Sequence, residues 1–87
     1  MNGESKNGKL IEKIITQYVN ENIFEPTTEF RESLQENLNS ILKFETIVTN
    51  IESKNNFIVG TVMFKNENEI NSVVDFTIIN NDKTLNV

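Results

Sequence analysis

Apolar residues in the first half of the chain recur every three or four positions; in the second half they cluster or alternate between Asn-rich breaks. The first pattern is helical and the second is that of strands. Leu10, Ile11, Ile14, Ile15, Tyr18 and Val19 gather on one side of a helix that should end near Asn22, because Pro26 disfavours helical geometry at Glu25. The Ile23-Phe24 pair is expected to tuck into the core from the connecting loop. Thr27 or Thr28 is the expected N-cap of a second helix, with Glu29 and Glu32 in its first turn against the positive end of the helix dipole. Phe30, Leu34, Leu38, Ile41 and Leu42 mark its buried stripe.

After Phe44 the chain turns to β-branched and aromatic residues, which predicts three antiparallel strands. They are expected over Phe44 to Glu52, Phe57 to Lys65 and Ile70 to Asn80, joined by turns at Ser53-Lys54-Asn55-Asn56 and Asn66-Glu67-Asn68-Glu69. Thr84 to Val87 is a candidate fourth strand. The order α-α-β-β-β predicts an α+β fold in which two N-terminal helices pack on one face of an antiparallel meander. Residues 1–8 hold no large apolar side chain after Met1 and read as a flexible arm, leaving 9–87 as a single domain. Gly60 in the middle of the second strand reads as packing room for Tyr18, ahead of a bulge or a close backbone approach.

Composition then narrows the chemistry. The 87 residues contain no Cys and no His, so thiolate and imidazole metal sites and Ser-His or Cys-His catalytic pairs are excluded. Gly3, Gly8 and Gly60 are isolated, so no phosphate-cradling loop is present. A carboxylate pair would need a shared cleft, and the acidic residues fall mostly on a helix surface and in turns. Lys65 to Glu69 offers oxygen ligands without the spacing of a calcium loop and reads as a polar hairpin tip. The expectation is a protein that is not an enzyme and holds no cofactor or metal.

A net charge of −5 opposes binding to nucleic acid or to anionic membrane and favours a basic protein partner. No apolar run approaches the roughly 20 residues of a membrane span, and no leader pattern is evident, so the expected location is the cytoplasm. Enrichment in Asn, Ile, Lys and Glu matches an AT-rich genome, such as that of a low-GC bacterium or one of its phages.

Two surfaces are candidates for partner binding. Glu25, Glu29, Glu32 and Glu36 are spaced to form an acidic row along the second helix, opposite its buried stripe. The row is suited to docking on a basic surface, although any solvated helix face is charged. In the sheet, Ile58, Val62 and Phe64 share a face with Gly60, while Phe57, Val59 and Met63 share the other. The third strand places Val73, Thr77 and Ile79 opposite Val74, Phe76 and Ile78. Helices can cover only one of these faces, so Phe57, Val59, Met63, Val73, Thr77 and Ile79 form a candidate self-association surface. The leading expectation is a non-enzymatic interaction module, of the kind a phage or mobile element uses to modulate or inhibit a host factor through its acidic surface. The alternative is an assembly protein, such as a homodimer, formed through the outer face or edge of the sheet.

Overall fold

The computed structural model describes residues 6–65 and 71–80. Two helices, α1 (Lys6–Glu21) and α2 (Thr28–Ile41), precede three strands, β1 (Thr46–Lys54), β2 (Phe57–Lys65) and β3 (Asn71–Ile79). The strands form one antiparallel sheet in the order β1-β2-β3, so the α+β meander expected from the sequence is the observed fold. Thr84 to Val87, the Asn66 to Glu69 turn and Ile70 lie outside the described residues.

Both helices cover the same face of the sheet. Ile11, Ile14 and Ile15 of α1 and Leu34 and Leu38 of α2 are buried against Val48, Ile58, Val62, Phe64, Val74, Phe76 and Ile78. The inward residues of β2 and β3 are all even-numbered, as the two-residue repeat of a strand requires. At the connection between the helices, the Phe30 ring makes T-shaped contacts with Tyr18 and Phe24, at centroid distances of 5.5 and 5.1 Å. Phe24 therefore enters the core, but Ile23 stays exposed.

The helix boundaries differ from expectation in three places. α1 begins at Lys6, so residues 6–8 belong to the helix instead of to an arm over 1–8. Gly8, Ile11 and Ile15 stand three and four residues apart on one helix face, which continues the buried stripe back to Gly8. Thr27 is the N-cap of α2, its hydroxyl accepting from the Phe30 N–H at 3.0 Å. Glu25 thus precedes the cap and is not a helical residue. At the other end Ile41 is exposed, whereas Leu42 leaves the helix in extended geometry and is buried in its place.

The first strand also shifts, from the expected Phe44–Glu52 to Thr46–Lys54. Phe44 sets its ring at a tilt against Phe64, centroids 5.5 Å apart, in the approach to the strand. Lys54 pairs with Phe57, so only Asn55 and Asn56 make the turn, with Asn55 in the left-handed region at φ 58° that Asn tolerates better than most residues. A bulge between Val48 and Asn50 shifts the register of β1 against β2. Beside it, a Cβ placed on Gly60 would collide with the Asn50 carbonyl oxygen and lie 2.5 Å from Phe76 Cζ. The missing side chain therefore accommodates a close backbone approach and the ring of Phe76, not Tyr18.

Candidate functional site

Cross-strand partners in an antiparallel sheet share a face, so the register defines the outer surface row by row. From the turn inward, the rows are Lys54-Phe57-Ile79, Glu52-Val59-Thr77, Asn50-Thr61-Asp75 and Ile47-Met63-Val73. Phe57, Val59, Met63, Val73, Thr77 and Ile79, the candidate self-association residues, are thereby brought onto one face. Ile47 joins them, which the sequence reading missed because the bulge hides the parity of β1. The face leaves large apolar side chains in water: Val73 and Ile79 are each 61% exposed, Ile47 49% and Phe57 41%. Scattered exposed hydrophobes are ordinary, but four on one face, beside half-buried Val59 and Met63, form an apolar surface.

The polar middle row divides this surface. The Thr61 hydroxyl donates to Asp75 Oδ1 at 2.9 Å, and the Thr49 hydroxyl donates to the Thr61 carbonyl oxygen at 3.1 Å. The mixed Glu52-Val59-Thr77 row and the apolar Ile47-Met63-Val73 row therefore flank a hydrogen-bonded polar row.

One edge of the sheet is occupied by side chains of α2. Arg31, Gln35 and Asn39 stand four residues apart, along the flank of the buried stripe. The Thr46 N–H donates to Asn39 Oδ1 at 2.8 Å, and the Val48 N–H donates to Gln35 Oε1 at 3.0 Å. Arg31 and Asn39 in turn donate to the Val48 and Thr46 carbonyl oxygens at 3.1 and 3.4 Å. Three side chains thus satisfy the outward main-chain groups of Thr46 and Val48, in the manner of a neighbouring strand. This closes the start of the β1 edge to pairing with another chain. The polar spacing of 31, 35 and 39 was the available sequence signal for this rail.

The acidic row is shorter than expected. Glu29, Glu32 and Glu36 are exposed on α2, while Glu25 lies before the cap, outside the helical row. None of the three pairs with a cation among the described residues.

A groove of about 510 Å³ runs between α1 and β3, lined by Lys9, Glu12, Lys13 and Thr16 of the helix and by the edge strand around Ile78. Among the described residues Glu12 is the one carboxylate in its lining. Among the described residues no cluster of three acidic side chains could hold a metal ion, and no helix is long and apolar enough to cross a membrane. Comparison with known proteins finds no matching family model, no matching curated protein and no matching solved structure.

Proposed function

We propose that this protein is a non-enzymatic interaction module whose contact surface is the outer face of its sheet. The observation that carries the reading is the gathering of exposed Ile47, Phe57, Val73 and Ile79 on the face that neither helix covers. Removing such side chains from water stabilises a complex by about 25 cal/mol per Å² of apolar area, whereas a row of solvated carboxylates contributes chiefly to steering and partner choice. The acidic face of α2, facing away from the sheet, is the second reading. It is favoured by the absence of cation partners for Glu29, Glu32 and Glu36 among the described residues, which leaves them available to a basic surface. On the first reading the sheet face makes the contact, and the carboxylates guide the approach.

Photo-crosslinking in the native cell separates the two readings. A benzophenone amino acid at position 73 is expected to form protein adducts, while the same group at position 32 is not. Adducts from position 32 alone would transfer the contact surface to α2.

A further inference from the structure

We propose that Thr84 to Val87 dock along the edge of β3 that faces away from β2, as a short fourth strand with Leu85 seated in the groove between α1 and β3. The phase of the hydrogen bonds fixes what that edge presents. The Asn80 N–H donates to the Asn56 carbonyl oxygen at 2.9 Å, one step beyond the pairing of Phe57 with Ile79. Hydrogen-bonded pairs alternate along an antiparallel ladder, so the even-numbered residues of β3 turn their main-chain groups to β2. Val73, Asp75, Thr77 and Ile79 turn theirs away from it. At the start of the β1 edge, side chains of α2 satisfy the corresponding groups. Among the described residues, nothing does so for Thr77 and Ile79. Such an edge is a template for another strand.

The segment that follows β3 matches this edge in loop, phase and parity. Asn80-Asn81-Asp82-Lys83 makes a four-residue loop closed by Ile79 and Thr84, rich in the residues that turns favour. A two-residue loop closed at Asn80 would need that residue hydrogen-bonded across the open edge, whereas its N–H is turned to Asn56. With the longer loop, Ile79 and Thr84 form one hydrogen-bonded pair and Thr77 and Asn86 the next, which is the phase the edge requires. The same register sets Leu85 beside Ile78 and Val87 beside Phe76, on the face the helices cover, and turns Thr84 and Asn86 to the outer face. A slip of one residue would send both apolar side chains outward.

The groove lies where Leu85 arrives. Its strand wall is Thr77, Ile78 and Ile79, the residues that Asn86, Leu85 and Thr84 pair with, and its other wall includes Lys9, Lys13 and Thr16 of α1. The aliphatic stems of the two lysines cover an apolar side chain there while their ammonium groups stay in water.

Amide hydrogen exchange of the full chain, read residue by residue by NMR, tests the proposal. The Thr77 and Ile79 N–H groups should exchange at least about tenfold more slowly than those of Val73 and Asp75, which Thr84 to Val87 do not reach in this register. Leu85→Asp should abolish that difference and leave the exchange of Val62 and Val74 unchanged, and ending the chain at Lys83 should do the same. The α-protons of Ile78 and Leu85, a closely spaced pair without hydrogen bonds, should show a nuclear Overhauser contact that Leu85→Asp removes. Equal exchange at all four edge positions, or protection that survives both variants, would overturn the proposal. An α-proton contact of Leu85 with Thr77 in place of Ile78 would overturn the register and with it the filling of the groove. Protection of Thr77 and Ile79 that grows with protein concentration would assign the edge to a second copy and overturn residues 84–87 as its occupant.

Discussion

The amide oxygen of Asn39 accepts two hydrogen bonds from Thr46, one from its backbone N–H and one from its hydroxyl, both at 2.8 Å. Thr46 is 1% exposed, so no water can replace Asn39 without rearrangement. Asn39→Ala should therefore destabilise the fold by about 2 kcal/mol, the cost of leaving buried donors unsatisfied. Thr46→Val removes only the hydroxyl and should cost less. Urea denaturation of the two variants checks the order.

Gly60 faces the bulge on one side and the Phe76 ring on the other. Gly60→Ala should destabilise by about 3 kcal/mol, at the upper end of overpacking costs, because one of the two obstacles is backbone. Combining it with Phe76→Leu should not restore wild-type stability, since the Asn50 carbonyl still blocks the methyl. Thermal unfolding of the single and double variants measures this.

The cap and the carboxylates of α2 make separable predictions. Thr27→Ala should cost about 1 kcal/mol through loss of the bond to the Phe30 N–H. Glu29→Lys, in the first turn, should cost about 0.5 kcal/mol through the helix dipole. Glu36→Lys, two turns further on and exposed, should change stability by less than about 0.5 kcal/mol. Chemical denaturation of the three variants gives the ranking.

Leu34 and Ile41 lie on the same helical stripe in sequence but differ in burial, 0% against 54% exposed. Leu34→Ala should cost about 3 kcal/mol by opening a cavity in the core, and Ile41→Ala less than about 0.5 kcal/mol. Equal losses in the denaturation midpoint would contradict the assignment of Ile41 to the surface.

The element order and the two faces of β2 and β3 were legible because spacing alone encodes them: Ile58, Val62, Phe64, Val74, Phe76 and Ile78 alternate without interruption. A cap at Thr27 or Thr28 was legible because the threonines after Pro26 precede a helical stripe, and the bond from the Phe30 N–H selects Thr27. The features that were not legible depend on chain segments meeting in space. The bulge beside Thr49 breaks the alternation of β1 and so concealed Ile47. The space at Gly60 belongs to Phe76, its neighbour across the sheet, and sequence distance pointed instead to a helix residue. The i, i+4 spacing of Arg31, Gln35 and Asn39 was visible, but its use requires knowing that the β1 edge runs beneath them. Glu25 kept the spacing of a helical row and lost the helix, because the cap lies two residues later.

The central claim is that the outer face of the sheet is where this protein meets its partner. The chain holds two methionines, Met1 and Met63, and Met63 sits in the apolar outer row. Labelling the methionine methyl groups with ¹³C therefore reports that face through one resonance, with Met1 as the second. Raised concentration or titration with native-cell extract should shift or broaden the Met63 methyl signal saturably. A Met63 signal unchanged across the concentration range and in extract would contradict the account.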